Sequence, residues 1–197
     1  MNLNIYKCSQ INSALNRIIK ADLYRHEGLK GIKGFLKGWF KSGFRYTYLF
    51  RKTVQYKNNP LKGTFYKILK RRYRFKYGYE ISSNAQIGEG FYLSDHCGPV
   101  IIGPIKIGKY CNISHSVTIG RAYKDGNIGR PTIDDFVWIG TGSVLVGNIN
   151  IGKNVLIAPN SFVNFNVPDN SLVIGNPAKI IKRDNPTKYY INNILNE

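Results

Sequence analysis

The chain has 197 residues, of which 43% are hydrophobic, and it carries a formal net charge of +18 at pH 7. This length suits one repeat domain plus a smaller second unit, with enough apolar residues for a packed core. No apolar run reaches the roughly 18 residues of a membrane-spanning helix, and the first residues lack the apolar segment of a signal peptide. The three cysteines have neither disulfide nor metal-ligand spacing (Cys8, Cys97, Cys111). The sequence therefore predicts a cytoplasmic protein without a bound metal.

The positive charge is concentrated in the first part of the chain. Residues 1–80 contain 19 Lys and Arg against 3 Asp and Glu, whereas residues 81–197 contain 10 against 8. The periodicity of the apolar residues changes at the same point. We therefore predict a basic, aromatic-rich helical domain at 1–79, a repeat domain at 80–183 and a C-terminal tail at 184–197.

Helices are predicted in the first domain at 9–26, 44–56 and 61–77, because apolar residues recur there at helical spacing. Three glycines interrupt the stretch between the first and second helices and predict a break there (Gly28, Gly31, Gly34). The helical domain is thus expected to contain three short helices.

Lysines and arginines alternate with aromatic residues between residues 33 and 76. Three interpretations stay open. The aromatic residues pack inside the helical domain and the cations form its solvated face, or the segment rests on anionic lipid at the inner face of the membrane, or it forms a nucleic-acid groove with stacking aromatic residues. Because no nucleic-acid-binding motif accompanies the charge, the first two are favoured and no nucleic-acid partner is expected.

An aliphatic residue recurs every six residues from position 81 to 163, with one slip of two residues and one of eight. A period of six fits neither a helix nor an alternating strand. It is typical of a parallel β-helix, in which three hexads form a triangular coil and the aliphatic side chains point to the axis. The repeating positions are Ile81, Ile87, Leu93, Ile101, Ile107, Ile113, Ile119, Ile133, Ile139, Leu145, Ile151, Ile157 and Val163. We therefore predict an all-β parallel β-helix after a small helical N-terminal domain.

The two interruptions of this pattern are candidates for a functional site, since insertions in a repeat array form surface loops. The first carries Asp95 and His96, and His115 follows 19 residues after His96, about one coil later. A neutral imidazole suits a general base near pH 7, and a carboxylate on its second nitrogen would fix the tautomer. Asp95 and Glu80 are the candidate carboxylates. The alternatives are a loop histidine without a task at 96 and an outward hydrogen-bonding residue at 115.

Several segments together resemble the serine acetyltransferase-like branch of the left-handed β-helix acyltransferases (residues 87–98, 117–120, 139–142 and 175–179). The match covers about residues 80–183. The segments 18–25 and 44–46 resemble the helical N-terminus of family members from bacterial surface-polysaccharide loci. The resemblance implies a left-handed coil, a homotrimer and acetyl-CoA bound in the groove between adjacent β-helices.

The resemblance also implies roles for individual residues. His96 would deprotonate the acceptor hydroxyl, which then attacks the thioester carbonyl directly. The supporting carboxylate falls on Glu80, where serine-specific members carry Asp. CoA binding falls on residues at the coil edges and near the last strand, namely Gly120, Thr141, Ala158, Lys179, Lys182 and the adjacent Arg183.

Three departures from the family pattern affect the expected acceptor. One extra residue lies between Gly90 and His96, Arg130 stands where serine acetyltransferases carry a second active-site histidine, and His115 stands where glutamine is usual. We therefore expect an acetyl-CoA-dependent O-acetyltransferase that acts on a sugar hydroxyl of a surface polysaccharide or its precursor. Two alternatives stay open: a serine O-acetyltransferase of cysteine biosynthesis, and a non-enzymatic β-helix scaffold.

Overall fold

The computed structural model describes residues 2–96, 98–123 and 128–195, with side chains described from residue 13 onward. Four helices and fifteen short strands lie within these residues. The predicted fold class, a left-handed parallel β-helix after a helical N-terminal region, is confirmed. No helix in the described part of the chain is both long and apolar enough to cross a membrane.

The helical region contains one helix more than the sequence predicted. The helices are α1 (Asn2–Tyr24), α2 (Gly31–Phe40), α3 (Ser42–Gln55) and α4 (Pro60–Tyr77). The predicted break is present at Gly28, which lies between α1 and α2, but Gly31 and Gly34 lie within α2, so for these two glycines the prediction was wrong. Another glycine of this helix serves close packing: a Cβ at Gly38 would lie 2.5 Å from the Leu23 side chain and 3.0 Å from that of Phe44. Glycine therefore lets α2 approach α1 and α3.

The strands form three parallel sheets that wind around one core. In chain order they are β1 (Tyr79–Ile81), β2 (Gln86–Ile87), β3 (Tyr92–Leu93), β4 (Val100–Ile102), β5 (Lys106–Ile107), β6 (Asn112–Ile113), β7 (Thr118–Gly120), β8 (Thr132–Ile133), β9 (Trp138–Ile139), β10 (Val144–Val146), β11 (Asn150–Ile151), β12 (Val155–Ile157), β13 (Phe162–Val163), β14 (Ser171–Gly175) and β15 (Ala178–Lys182). Sheet A has the order β1-β4-β7-β10-β13, sheet B β2-β5-β8-β11 and sheet C β3-β6-β9-β12-β14, with β15 antiparallel on β14. Each coil therefore contributes one strand to each sheet.

The six-residue pattern points into the core, with one exception. Ile81 pairs with Ile102 in register, and Ile102 is 1% exposed whereas Ile101 is 44% exposed. The prediction that Ile101 faces the axis was therefore wrong. The inward residues Leu93 and Ile102 are three residues further apart than in a regular hexad, and Ile102 and Ile107 are one residue closer together. Because side chains of a strand alternate between its two faces, this offset exchanges the inward and outward positions of β4.

The helices close the N-terminal end of the β-helix. Tyr46 and Phe50 of α3 belong to the same buried cluster as Tyr79 of the first coil. A buried ion pair reinforces this junction, since Arg51 Nε lies 2.9 Å from Asp22 Oδ2. Asp22 also accepts the backbone N–H of Phe91, and Arg51 donates to the carbonyls of residues 87 and 88. Helices α1 and α3 are therefore fixed to the first coil.

The C-terminal tail runs back along the outer side of sheet C. The ring of Tyr190 packs 4.8 Å from that of Trp138, and the Asn112 side chain donates to the Tyr190 carbonyl at 3.0 Å. Further along, Tyr110 Oη donates to the Leu195 carbonyl at 3.0 Å. The tail thus spans from the last coil to the first ones.

Candidate active site

The turns from sheet C to sheet A bring most of the predicted site residues to one edge of the molecule. These turns connect β3 to β4, β6 to β7, β9 to β10 and β12 to β13, in four consecutive coils. In this order they carry His96, His115, Thr141 and Ala158. The turns stack directly, as the backbone N–H of Asn160 donates to the carbonyl of Thr141 at 2.8 Å. Residues far apart in sequence therefore form one column, which we call the C–A edge.

The two predicted histidines are neighbours on this edge. Their ring centroids lie 6.0 Å apart with an interplanar angle of 87°, so one ring meets the other edge-on. His96 is exposed and His115 is half-buried, with its Nδ1 3.3 Å from Ser116 Oγ. The loop of His96 passes close to His115, since a Cβ at Gly98 would lie 3.1 Å from the His115 Cβ. The sequence expectation that the histidines fall on neighbouring coils and one face agrees with this arrangement.

Helix α3 holds the loop that carries His96. The backbone N–H of Gly43 donates to Asp95 Oδ1 at 2.8 Å, and Ser42 Oγ donates to the Asp95 carbonyl at 3.0 Å. A Cβ at Gly43 would lie 1.9 Å from the carbonyl oxygen of Leu93, so only glycine fits this contact. Tyr79 Oη donates to the carbonyl of Ser94 at 2.8 Å. The loop is thereby bound on both sides of Asp95.

The carboxylate of Asp95 faces the helices and not His96. Its Oδ2 lies 3.3 Å from Nδ1 of His26, whose side chain is 1% exposed. Burial alone would raise the pKa of Asp95, but the hydrogen bond and charge of His26, the Gly43 N–H and Lys41 outweigh it and hold that pKa below its usual value. The structure therefore corrects the expectation that Asp95 supports His96.

Glu80, the other candidate carboxylate, lies on the outer face of sheet A. Its Oε2 is 2.7 Å from a terminal guanidinium nitrogen (NH2) of Arg74 on helix α4, and both side chains are about half exposed. The pair borders a groove of about 680 Å³ between α4 and the first coils. Cations from α4 dominate the groove, namely Lys67, Lys70, Arg71 and Arg74. The partner of Glu80 in the structure is thus Arg74, and its support of His96 stays a prediction.

A second groove, of about 660 Å³, lies beside the C–A edge at its C-terminal end. Its apolar wall contains Trp138, Leu156 and Leu172 from three consecutive strands of sheet C. Ala158 borders the groove, and Arg183 and the tail close its far side. A long, partly apolar ligand with a charged end fits such a groove chemically.

The other residues predicted to bind CoA lie away from this groove. Thr141 stands on the C–A edge, but Gly120 ends β7, at the opposite end of the sheet A strands. Lys179 and Lys182 are exposed on β15, the edge strand of sheet C. Arg130 is exposed beyond β7, and residues 124–127 of that insertion lie outside the described part of the chain. Their roles toward CoA stay predictions.

Within the described residues, neither metal ligation nor thiol chemistry is indicated. Among the described residues no group of three His, Cys, Asp or Glu side chains is placed to hold a metal ion. Burial raises the pKa of the Cys111 thiol to about 12, which leaves it protonated and unreactive at neutral pH. Cys97 lies outside the described residues.

Several residues of the site region were not predicted from the sequence. His26, Gly43 and Tyr79 all bind the His96 loop, although 69 residues separate His26 from Asp95. No local motif marks such long-range contacts.

Serine acetyltransferases are among the known proteins that are similar to this chain. The serine acetyltransferase of Synechococcus elongatus is 39% identical over 107 residues, which make up 54% of this chain and 43% of that protein. A search against protein-family models gave no match. The chain spans about half or less of the length of the curated relatives it matches.

Solved structures give a longer match. The Neisseria gonorrhoeae serine acetyltransferase in complex with serine aligns with a TM-score of 0.71 at 28% identity, covering 90% of this chain and 73% of that one. The Brucella abortus serine acetyltransferase in complex with coenzyme A aligns with a TM-score of 0.72 at 26% identity, covering 90% and 72%. The match therefore includes the helical region as well as the β-helix.

Proposed function

We propose that this chain is an acetyl-CoA-dependent O-acetyltransferase in which His96 is the general base. The observation that carries the proposal is the exposed imidazole of His96 on the C–A edge, beside His115. The loop that bears it is bonded to helix α3 through Asp95, so the backbone at His96 is held in place before a substrate arrives. The similarity to serine acetyltransferases supports the same reaction class.

The reaction needs one proton acceptor and no covalent enzyme intermediate. A neutral His96 takes the proton of the acceptor hydroxyl while that oxygen attacks the thioester carbonyl carbon. The tetrahedral intermediate then expels the sulfur of CoA, and the proton on His96 passes to the thiolate. The products are an acetyl ester and CoA with a free thiol.

The groove beside Ala158 is the proposed place of the CoA chain. The apolar wall from Trp138 to Leu172 suits the pantetheine arm, and Arg183 provides positive charge for a phosphate. The groove is open to solvent on one side in a single chain. We expect a neighbouring copy to supply the missing wall, as the predicted homotrimer implies, and the predicted contacts of Thr141 and Lys182 belong to this assembly.

L-Serine is the first acceptor to test. The curated relatives are serine acetyltransferases, and one similar structure contains serine. This evidence favours serine over the polysaccharide sugar expected from the sequence departures.

A sugar hydroxyl is the second candidate, because one structural observation favours a larger acceptor. Four cations and Glu80 border the groove between α4 and the first coils, which at about 680 Å³ has room for a phosphorylated sugar. In addition, Asp95 beside the histidine is bonded to His26 and Gly43 and is not free to hold an ammonium group. Both features are compatible with an anionic acceptor that lacks an amino group.

The proposal is tested by measuring CoA release from acetyl-CoA with a thiol reagent and the acetyl ester by mass spectrometry. The acceptors are L-serine, free sugars and sugar phosphates. We expect His96→Ala to lower turnover at least about a hundredfold, the scale of a lost general base, and Lys106→Ala, on an exposed strand of sheet B, to act as wild type. Near-normal turnover of His96→Ala contradicts the assignment, and absence of acetyl-CoA binding by calorimetry supports the scaffold alternative.

A further inference from the structure

Helix α4 carries an apolar stripe that faces solvent. Leu61, Phe65, Ile68 and Phe75 are 84%, 56%, 62% and 71% exposed, at spacings of four, three and seven residues. Residues at such spacings lie on one face of a helix. The side of α4 that packs against α3 and the first coil carries Gly63 and the partly buried Tyr73 and Tyr77. Large apolar residues in a row on a solvent-facing helix normally mark a contact surface.

Helix α2 repeats the same arrangement. Ile32, Leu36 and Phe40 are 83%, 59% and 82% exposed and follow one another at intervals of four residues. The two helices meet through Arg45, whose guanidinium carbon lies 5.6 Å from the centre of the Trp39 ring and 5.2 Å from that of Tyr73. Both stripes therefore belong to the helical cap at the N-terminal end of the β-helix. We call the exposed residues of α2 and α4 the cap surface.

Positive charge dominates around the cap surface. Residues 28–79 contain fifteen Lys and Arg and no Asp or Glu. Many of these cations flank the stripes and are exposed, including Lys33, Lys37, Lys62, Lys67, Arg71, Arg72 and Lys76. Apolar residues on one face of a helix with Lys and Arg beside them are typical of helices that lie in the interface of a membrane.

The same features argue against two other occupants. A second copy of this chain would bring cations against cations, because the segment has no acidic residue to pair with them. A single-stranded nucleic acid binds through aromatic stacking and phosphate contacts, whereas four of the seven stripe residues offer no ring on which a base could stack, namely Ile32, Leu36, Leu61 and Ile68. Anionic lipid supplies negatively charged headgroups for the cations and an apolar acyl region for the aliphatic side chains.

We propose that the cap surface docks this protein on an anionic lipid bilayer, with the stripes of α2 and α4 inserted at the level of the headgroups. The cations bind the headgroups and the aliphatic and aromatic side chains enter the acyl boundary. In an assembly of parallel β-helices, the caps of all copies lie at one end, so that several cap surfaces reach the same bilayer together. The inference does not depend on the reaction proposed for the C–A edge.

The test is flotation of the full-length protein with vesicles of equal parts phosphatidylglycerol and phosphatidylcholine, compared with vesicles of phosphatidylcholine alone. At 50 mM NaCl we expect binding to the anionic vesicles only, and at least a tenfold loss of binding at 500 mM NaCl, since the attraction is screened. Phe65→Ser combined with Ile68→Ser should lower the partition coefficient at least tenfold. Arg71→Gln combined with Arg72→Gln should weaken binding to anionic vesicles in the same direction.

The matched control is Ile174→Ser combined with Ile180→Ser. Both isoleucines are partly exposed, at 46% and 40%, and they lie in β14 and β15 at the opposite end of the β-helix. This variant should float as wild type does, and circular dichroism melting checks that every variant is folded.

Three results would overturn the inference. The first is no flotation at 50 mM NaCl. The second is unchanged flotation of the Phe65→Ser/Ile68→Ser variant. The third is a smaller assembly of that variant in light scattering while the wild type ignores vesicles, which would make the cap surface a contact between copies.

Discussion

The backbone N–H of Gly43 lies 2.8 Å from Oδ1 of Asp95, so the first turn of helix α3 is bonded to the residue that precedes His96. The first N–H groups of a helix have no partner within it and carry partial positive charge, which favours a carboxylate at this place. The candidate base is thus positioned through its neighbour in sequence, from the helical side.

Asp95→Asn should therefore destabilise the fold in a pH-dependent way. The folded-state pKa of Asp95 is lowered, so its ionised form contributes stability above the unfolded pKa of about 3.9, and this is lost as the pH falls through the lower folded value. We expect a loss of about 1–3 kcal/mol at pH 7 that diminishes below pH 4, measured by urea unfolding. Asp184→Asn, on the exposed tail, is the control. Equal losses of unfolding free energy at pH 7 and below pH 4 would contradict this role of the Asp95 carboxylate.

Gly43→Ala should disturb the His96 loop more than its small size suggests. Its Cβ would lie 1.9 Å from the Leu93 carbonyl oxygen, so backbone must move apart. We expect a loss of roughly 2–4 kcal/mol in unfolding free energy together with lower turnover. Gly103→Ala is matched, because its nearest neighbour would be an ordinary 3.5 Å contact, and it should be nearly neutral. A neutral Gly43→Ala would mean that α3 does not rest on the loop.

Ile101 and Ile102 provide a test of strand register. Ile102→Ala should cost about 2–5 kcal/mol because it opens a cavity in the core, whereas Ile101→Ala should cost less than about 1 kcal/mol because that side chain is 44% exposed. Chemical unfolding of the two variants gives the comparison directly. A larger loss of unfolding free energy for Ile101→Ala than for Ile102→Ala would mean that Ile101 faces the axis.

His115→Gln should lower kcat/KM less than His96→Ala does. His115 meets the edge of the His96 ring but is itself half-buried, which suits a supporting contact better than proton transfer from the acceptor. We expect about a tenfold loss, or about 1.4 kcal/mol in the barrier, with unchanged thermal stability. Steady-state kinetics with the best acceptor measure both variants. A loss equal to that of His96→Ala would make the two histidines a joint catalytic unit.

Lys70 should have an unusually reactive amine. Burial, assisted by the charge of Arg74, lowers its pKa to about 8, so the neutral amine is about half populated at pH 8. Labelling with limiting acetic anhydride between pH 6 and 10.5, followed by peptide mass spectrometry, should give a midpoint near pH 8 for this residue. The pKa of an ordinary lysine is about 10.4. A midpoint close to that value would contradict the burial of the Lys70 amine.

The repeating part of the fold could be predicted because its signal is local. One aliphatic residue in every six predicts the β-helical coil, and the stacking of coils then brings His96 and His115 together. The register of β4 could not be predicted, since a three-residue excess before it and a one-residue deficit after it resemble a single slip of two. Helix α2 escaped prediction for a related reason, because Gly38 serves packing against Leu23 and not a turn.

The partners of the candidate carboxylates were beyond sequence reasoning. Asp95 could be placed beside His96, but its contact with His26 depends on how α1 docks on the first coil. Glu80 could be placed at the start of the first coil, but its pairing with Arg74 depends on the path of α4. Both are tertiary contacts between segments with no shared pattern.

The tail that crosses sheet C changes how this solenoid should unfold. A stack of repeats usually frays from an end, because each coil touches only its neighbours. Here Asn192 accepts a hydrogen bond from Arg25 of the helical region, and Leu195 accepts one from Tyr110. The tail therefore connects the two ends of the stack, and loss of the terminal coil must also release the contacts that the tail makes with the first. We expect the chain to melt as one cooperative body, not coil by coil.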